Sequence, residues 1–346
     1  MSNKAKKRLP LGVGAFAAAL SLTALAGAPA YASQSGESDT WSIEAVVGRQ
    51  VHSQFGMDQT RDSNGNIADV WVDDSYHLVA SVNNGPSSTW TNSSTVRAPA
   101  VISTPWGFRV FHTGIDSFVY YAGFEVNSDG SLTLGSWQQV PGNARTTLAP
   151  SVAALPGADQ EQWMLNYTGL DGYVYTQWHQ RLSYMSGQGY FNSPSRVPGA
   201  QSSAPPHITY TNITENNVYI NGGIFVDWTG NNGTLYISEQ NHGDSNWNYQ
   251  GSMQVDTNSA ALPSIAFAGN SEHGIVAQSD TNVFTPRATT ATFSHTPSST
   301  RIGPPQAEST RRETWGAPVL SPWANTIYLL ESDGSSNWWW KRLYSW

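Results

Sequence analysis

Aromatic and hydrogen-bonding side chains lie close together at three places in this sequence. A sugar ring has apolar C–H faces and a rim of hydroxyl groups, so its binding sites combine an aromatic platform with fixed polar groups. The three sets all contain tryptophan, and two of them add amide or charged side chains: Gln177, Trp178 and Arg181; Glu239, Asn241 and Trp247; Trp338 and Trp340. They predict contacts to a carbohydrate.

Carboxylates that could act in hydrolysis provide the alternative chemistry. Cleavage of a glycosidic bond normally requires two carboxylates placed across that bond. The acids to test for this activity are Asp69, Asp73 and Asp74. The sequence contains no cysteine, and it lacks the sequence motifs of zinc proteases, serine hydrolases, P-loop proteins and dinucleotide-binding proteins. We therefore predict no cofactor, and the favoured interpretation assigns no catalytic residue.

A further group of oxygen donors begins at Asp62. Asp62, Asn64 and Asn66 alternate along the chain, and Asp73 is the twelfth residue counted from Asp62, as in the start and end of a calcium-binding loop. The sixth position of that loop is Ile67, where such a loop needs glycine. A solvated turn is the favoured interpretation, calcium is the alternative, and no metal is predicted.

A repeated turn sequence indicates which elements hold these side chains. The pattern T-G-x-[D/N]-[G/S]-x-[V/L]-Y occurs at 113–120, 168–175 and 229–236. Weaker copies extend the series in both directions, with acidic or amide key positions at Asp74, Asp116, Asp171, Asn232, Asp280 and Asp333. The resulting period of about 52 residues is typical of one supersecondary unit used several times. We expect the Asp and Asn side chains to stabilise tight turns.

Short apolar strands that follow proline keep the same spacing. They begin after Ala98-Pro99, Ala149-Pro150, Ala204-Pro205, Leu262-Pro263 and Ala317-Pro318. Within each unit, alternating or apolar runs separated by Gly, Asp and Asn predict four antiparallel strands. The predicted fold is an all-β propeller of about six four-stranded blades, and five or seven blades are the alternatives. The last unit lacks a fourth strand, and residues 41–48 resemble one, so we expect the N-terminal strand to close the ring.

The N-terminus has the layout of a secretory signal peptide. Four basic residues precede an apolar run, and Ala30-Tyr31-Ala32 supplies a cleavage site, which divides the chain into a signal peptide (1–32) and a single propeller domain (33–346). All 25 acidic residues follow this leader, and the whole chain has a formal net charge of −8. We therefore expect an extracellular protein that binds no nucleic acid. No later apolar run is long enough to insert into a membrane.

Two further predictions concern aromatic packing and the fifth unit. Trp90, Trp137 and Trp247, with Phe191 in the unit between, lie before the fourth strand of their units and are predicted to pack between blades. Residues 286–312 are rich in Thr, Ser, Pro and Arg and lack an aromatic strand. We interpret this segment as a degraded blade.

The turn sequence, the A-P-x-V strand starts and the W-x-x-V-P-G strand ends resemble those of secreted bacterial repeat-propeller lectins. The repeat period and the predicted mature length are similar to those of the six-bladed fucose-binding lectins of fungi. This resemblance implies inter-blade pockets in which an arginine recurs with a Glu or Gln and an aromatic residue. Here Arg109, Arg145, Arg181 and Arg196 do not hold one repeat position. Sialidases are the enzymes to compare, but their Asp-box is approached only at 332–338 and with different spacing.

The sequence thus favours a secreted, non-catalytic propeller that binds a carbohydrate or a glycosylated surface through several inter-blade sites. An exo-acting glycoside hydrolase with one axial site is the first alternative. A propeller that binds proteins through exposed tryptophans on its face is the second.

Overall fold

The structure is a computed structural model, and it describes two sets of residues. The central set is continuous apart from short gaps and comprises 55–157, 160–183, 189–215, 218–241 and 246–254. The other set consists of strands nearer the two ends of the chain. Side chains are described within 55–157, 160–183, 189–210, 223–240 and 246–248. Residues Asp39–Trp346 form one compact unit.

The described strands form six antiparallel sheets, which we number as blades I to VI. Two short strands precede them: β1 (Thr40–Trp41) and β2 (Ala45–Val46). Blade I contains β3 (Met57–Arg61), β4 (Ile67–Val72), β5 (Leu78–Val82) and β6 (Ser88–Trp90). Blade II contains β7 (Ala100–Thr104), β8 (Gly107–Thr113), β9 (Val119–Val126), β10 (Leu132–Leu134) and β11 (Gln138–Gln139). Blade III contains β12 (Ser151–Ala154), β13 (Gln160–Thr168), β14 (Tyr173–Leu182), β15 (Tyr190–Phe191) and β16 (Ser195–Gln201).

The remaining blades repeat this order. Blade IV contains β17 (His207–Glu215), β18 (Val218–Thr229), β19 (Thr234–Asn241) and β20 (Asn248–Gln254). Blade V contains β21 (Pro263–Phe267), β22 (His273–Asp280), β23 (Arg287–Thr296), β24 (Ser299–Ile302) and β25 (Gln306–Ala307). Blade VI contains β26 (Val319–Trp323), β27 (Thr326–Ser332) and β28 (Trp338–Tyr344). In blades II, III and V the fourth strand is divided into two pieces that pair with the same third strand. The segment interpreted as a degraded blade thus contains the strands β23, β24 and β25, which pair as the outer strands of the other blades do, so that interpretation is corrected.

The ring closes as the sequence predicts. β1 pairs with β28 at Leu343 and Tyr344, and β2 pairs with β28 at Trp339 and Trp340, so the N-terminal strands complete blade VI. The innermost strands β3, β7, β12, β17, β21 and β26 contact one another in that order, and β26 contacts β3. The fold is the predicted six-bladed propeller. Among the described residues, no helix is long and apolar enough to cross a membrane.

Blades pack through side chains that alternate along the strands. On β8, Phe108 and Val110 join the core between blades I and II, whereas Phe111 joins the core between blades II and III. On β13, Trp163 and Leu165 likewise face blade II. Because successive side chains point to opposite faces of a strand, both faces of each middle strand are buried between neighbouring blades. Apolar residues therefore occupy consecutive positions in these strands.

The side chains of the repeated turn sequence stabilise the turn between the second and third strands of a blade through hydrogen bonds. In blade II, Asp116 Oδ1 accepts the Phe118 amide, and Oδ2 accepts the Tyr120 hydroxyl at 2.6 Å. Thr113 Oγ1 donates to the Leu148 carbonyl at 2.6 Å, on the connection to blade III. Blade III repeats these bonds through Asp171, Tyr175 and Thr168. The conserved residue types of the repeat are thus explained by turn geometry.

The register corrects three details of the sequence analysis. The Asp73 amide donates to the His77 carbonyl, just as the Gly114 amide donates to the Phe118 carbonyl. Asp73 is therefore equivalent to Gly114. The residue equivalent to Asp116 is then Ser75, and not Asp74 as the sequence predicts. β17 starts after Pro206, so Pro205-Pro206 corresponds to Ala98-Pro99. Trp90 pairs with Leu78. The corresponding residue in blade II is Val140, so Trp90 does not belong to the series of Trp137.

The other members of that aromatic series have the predicted role. Trp137 packs on the core between blades I and II, Phe191 on the core between II and III, and Trp247 on the core between III and IV. Each side chain therefore covers the interface between its own blade and the preceding one. Trp90 is also buried between blades I and II, and its indole Nε1 donates to the Gly135 carbonyl at 3.0 Å.

We expect Gly169→Ala to destabilise the protein, because a Cβ atom at Gly169 would lie 2.8 Å from both Asp171 Oδ1 and Tyr175 Cε2. Overpacking of this kind should lower the free energy of unfolding by about 1–3 kcal/mol. Leu170→Ala, at the exposed next position, is the control and should change the free energy by no more than about 0.5 kcal/mol. Urea denaturation measures both variants. If the two variants are equally stable, Gly169 is not required for the packing of Tyr175 against this turn.

Candidate binding site between blades II and III

A cavity of about 280 Å³ lies between blades II and III. Four exposed polar residues contribute to its lining: Glu125, Thr133, Ser136 and Gln138. It is also lined by the buried Arg109 and Glu161, by the half-buried Arg181, and by Gly123 and Gly135. Tyr121 and His179 also border it. Because exposed side chains form part of its lining, the cavity reaches the surface.

An ion pair across the two blades forms the floor of the cavity. Arg109 Nε donates to Glu161 Oε1 at 2.8 Å, and Nη2 donates to Oε2 at 2.6 Å. The Trp163 indole adds a third donor to Oε1 at 3.1 Å, and Arg109 Nη1 donates to the Phe108 carbonyl. Arg109 and Glu161 retain only 9% and 1% of their accessible surface. Such a two-point contact fixes the guanidinium plane, which a lysine could not do.

Glycine provides the space that this arginine needs. A Cβ atom at Gly123 would lie 2.6 Å from Arg109 Nη1. Gly135 donates its amide to the Gly123 carbonyl and passes so close that its own Cβ would meet that oxygen at 2.9 Å. The backbone of β9 and the segment after β10 therefore approach each other without side chains between them. This leaves room for the guanidinium and for the cavity.

Aromatic and amide groups complete the wall. The Tyr121 hydroxyl donates to Gln138 Oε1 at 2.8 Å. Burial, and secondly the charge of Glu161, raise the pKa of Tyr121, so the phenol keeps its proton and remains a donor. Arg181 lies 5.2 Å from the centre of the Trp106 ring, in a cation–π contact. The wall thus combines aromatic faces with fixed hydrogen-bonding groups.

The cavity and the repeated turn lie at opposite ends of the strands. Glu161 is at the beginning of β13 and Arg181 is near the end of β14, whereas the Thr168–Tyr175 turn connects the other ends of these strands. Arg196 lies at the turn end, where it donates to Asp171 Oδ2 and to the Tyr175 hydroxyl. The turn residues therefore do not contribute to the cavity.

The structure separates the members of the first predicted set. Gln177 and Arg181 face blade II, since Gln177 Nε2 donates to the Pro141 carbonyl and Arg181 reaches Trp106. Trp178 faces the other way and packs on the core between blades III and IV. Only Arg181 of this set borders the cavity. Gln177 is buried and ties blade III to blade II through the Pro141 carbonyl, and it also donates to the Asn192 carbonyl within blade III.

The second and third sets are placed only in part. Glu239 is buried on β19 at the register position of Trp178, and Trp247 packs on the core between blades III and IV. Asn241 ends β19, and Trp338 and Trp340 lie on β28. The side chains of these last three residues are outside the described part of the protein. Their role in carbohydrate binding stays a prediction.

The acids selected for hydrolysis do not converge. Asp69 is buried in the middle of β4, and its Oδ1 accepts a hydrogen bond from the side-chain amide Nε2 of Gln59 at 2.7 Å. Asp73 and Asp74 lie in the turn after that strand, where Asp73 Oδ1 accepts the amides of Ser75 and His77. Asp74 is exposed. The Asp73 carboxylate therefore stabilises the turn in which it lies.

The calcium interpretation is also corrected by position. Asp62 Oδ1 accepts the amides of Asn64 and Asn66, and Oδ2 accepts the Asn66 side-chain amide. Asp73 lies beyond the far end of the six-residue strand β4, which at about 3.3 Å per residue is roughly 20 Å away. The four oxygen donors cannot share one ion. Elsewhere in the described residues, no group of three or more His, Cys, Asp and Glu residues could hold a metal ion.

Sequence reasoning missed a polar cluster on the innermost strands. Asp58, Ser151 and His207 hold the same register position on blades I, III and IV. Asp58 Oδ2 accepts the Val101 amide of blade II, and Ser151 Oγ accepts the Ile208 amide of blade IV. The side chains thus join neighbouring blades near the axis of the ring.

Asp58 and Asp227, the carboxylate that pairs with His207, both have raised pKa values. Burial raises the pKa of Asp58 to about 6, against the lowering effects of the Val101 and Gln59 amides and of His207. Burial likewise raises the pKa of Asp227, and its pairing with His207 Nδ1 at 3.2 Å opposes that rise. The Val101 amide bound by Asp58 belongs to blade II, so this carboxylate joins two blades, whereas Asp227 pairs with His207 within blade IV.

Comparison with known proteins supports the fold. No family model and no curated protein matches the chain. Among solved structures, AofleA from Arthrobotrys oligospora matches with a TM-score of 0.60 at 9% identity, covering 88% of this chain and 86% of that one. The Aleuria aurantia lectin, described as a six-bladed β-propeller with a novel mode of fucose recognition, has a TM-score of 0.55 at 9% identity, covering 84% and 91%.

This chain has the fold of the six-bladed propeller lectins. SapL1 lectin, solved with α-methyl fucoside, has a TM-score of 0.55 at 12% identity, covering 84% of this chain and 95% of that one. At these identities the likeness establishes the architecture alone.

Arg109→Met should strongly destabilise the protein, because it leaves the Glu161 carboxylate buried without its counter-charge. The expected loss is about 3–5 kcal/mol in the free energy of unfolding. Replacing both partners, as Arg109→Met with Glu161→Leu, should recover much of this loss, since no buried charge remains. Guanidinium denaturation compares the two variants. A double variant no more stable than the single one would contradict this account of the pair.

Asp58→Asn should change how stability depends on pH. The folded-state pKa of Asp58 lies above the ordinary value of 3.8. Its stabilising contribution is therefore complete below about pH 4 and is lost as pH rises through about 6. Relative to the variant, the wild-type protein should lose up to about 3 kcal/mol across this window. Urea denaturation at pH 4, 5, 6 and 7 measures the difference, and a pH-independent difference would contradict the raised pKa.

Proposed function

We propose that this chain is a secreted, non-catalytic carbohydrate-binding propeller and that the cavity between blades II and III is one of its binding sites. The observation that carries the proposal is the composition of this cavity, in which a fixed Arg109–Glu161 pair lies beside Tyr121 and Gln138. Guanidinium, carboxylate, amide and aromatic groups are those that sugar hydroxyls and C–H faces require. Oriented polar groups in a preformed site reduce the entropy lost on binding.

The comparisons support this proposal at the level of the fold. Two of the neighbours named above are described as lectins, one with a mode of fucose recognition and one in complex with α-methyl fucoside. The fungal lectins that the sequence resembles use an arginine, a Glu or Gln and an aromatic residue in pockets between blades. In this chain the Arg109–Glu161 pair with Tyr121 occupies such a place. The fucose specificity of those lectins is not part of the proposal.

Among blades I to IV, whose side chains the structure describes, blade II alone has an arginine at the register position of Arg109. The register positions of Arg109 are held by Ala68 in blade I, Met164 in blade III and Phe225 in blade IV. Sites in other interfaces would therefore use different residues, and the sets around Glu239 and Trp340 are the candidates. Several weak sites on one ring would act together on a polysaccharide or a glycosylated surface. We further propose that the protein acts outside the cell, without nucleic acid and without inserting into a membrane.

Gln138→Ala should weaken carbohydrate binding by about tenfold, because it removes an amide at the cavity mouth and frees the Tyr121 hydroxyl. Gln139→Ala is the matched control. Gln139 is equally exposed on β11 but points to the other face and does not border the cavity. A glycan array of the protein without residues 1–32 identifies ligands, and calorimetry measures the affinity of each variant for the best one.

The same glycans, incubated with the wild-type protein, are assayed for released reducing sugar. Binding without product supports the proposal, whereas product release would overturn the non-catalytic part of it. Binding to no glycan at all would overturn the carbohydrate function and favour a protein partner.

A further inference from the structure

We propose that the cavity between blades II and III selects an acidic sugar, whose carboxylate is received by Arg181 with help from Arg109. This inference rests on the proposed function and adds the chemical class of the ligand. The sugars that fit are uronic acids and other sugars with a ring carboxylate. A neutral sugar could accept hydrogen bonds from this cationic group but would leave its charge uncompensated.

The argument begins with the charges of the cavity. Arg109 is compensated by Glu161, which receives it at two oxygens. Arg181 makes no ion pair with any residue in the described part of the chain, and its buried Nε has no hydrogen-bond partner there. The Arg181 guanidinium makes a cation–π contact with the Trp106 ring, and this contact leaves its in-plane N–H groups available. One positive charge in this cavity is therefore unmatched by a buried acid.

A second acid, Glu125, also borders the cavity, but it stands on the exposed rim. An exposed carboxylate is hydrated and screened, so it offsets a nearby guanidinium only weakly. The buried acid, Glu161, already accepts three hydrogen bonds. The local field inside the cavity thus favours an anion.

The hydrogen-bonding groups point to the same ligand. A guanidinium has five N–H groups, and Arg109 uses three of them on Glu161 and Phe108. Gln138 accepts the Tyr121 hydroxyl with its oxygen, so its NH₂ group remains as a donor. The free N–H groups of Arg109 and Arg181 and the Gln138 NH₂ group thus give the cavity several unused donors, which a ligand rich in acceptors would satisfy. A carboxylate supplies about four acceptor positions and matches the fork of an arginine.

The overall charge makes this attraction local. The chain has a formal net charge of −8, so long-range forces repel a polyanion. Binding of an acidic sugar would depend on the cavity itself and would be lost when the cavity is changed. That dependence makes the inference testable with single substitutions.

The test compares oligosaccharides of glucuronate, galacturonate and mannuronate with their carboxyl-reduced neutral counterparts, using calorimetry on the wild-type protein. We expect at least one acidic oligosaccharide to bind about tenfold or more tightly than its neutral counterpart. Arg181→Gln should remove that preference, leaving the two affinities within about twofold of each other. Arg196→Gln, an exposed arginine of the same blade at the opposite end of the strands, should preserve it.

Equal or tighter binding of the neutral oligosaccharides, or preference for neutral glycans on the array, would overturn the acidic-sugar inference and leave the carbohydrate function intact. An acidic preference that survives in Arg181→Gln would place the anion elsewhere and also overturn it. Binding to no glycan, acidic or neutral, would overturn the proposed function itself. The wild-type comparison decides the matter even if a variant fails to fold.

Discussion

The structure depends on closing a ring of sheets. An isolated four-stranded sheet would expose two apolar faces and two strand edges, and each blade buries these only against its neighbours. The closure by β1 and β2 on β28 is therefore not a detail of the N-terminus. It supplies the outer strand of blade VI, in a ring whose innermost strands contact each other all the way round. In the absence of cysteine, the ring stands without disulfides.

This constraint also explains where polar groups are tolerated. Between the blades, buried polar side chains are held at fixed places, as Asp58 is by Val101 and Gln177 is by Pro141. Such bonds join one blade to the next and fix their relative position. The Arg109–Glu161 pair follows the same rule, because each partner comes from a different blade. The cavity arises where that pair holds two blades together around two glycines.

The repeat made the blades, their order and the closure predictable, because turn chemistry is local and recurs in the sequence. The site was less accessible to sequence reasoning, since Arg109 and Glu161 are far apart in the chain and belong to no repeat position. A signal was present in each strand: Arg109 interrupts the apolar run Phe108–Phe111, and Glu161 precedes the buried Trp163. A charged residue within a strand buried on both faces requires a partner. Which partner it finds is decided by how neighbouring blades face each other, which no local pattern specifies.

Trp163 is a fluorescent residue in direct contact with the floor of the cavity. Its indole ring stacks on His179 at a centroid distance of 4.2 Å, and its Nε1 donates to the carboxylate that forms the cavity floor. Indole emission responds to the hydrogen bond at Nε1 and to nearby charge. An anion entering the cavity changes that field at a fully buried ring. Trp163, one of 15 tryptophans in the chain, is therefore an intrinsic fluorophore placed to respond to occupancy of this one interface without an attached dye.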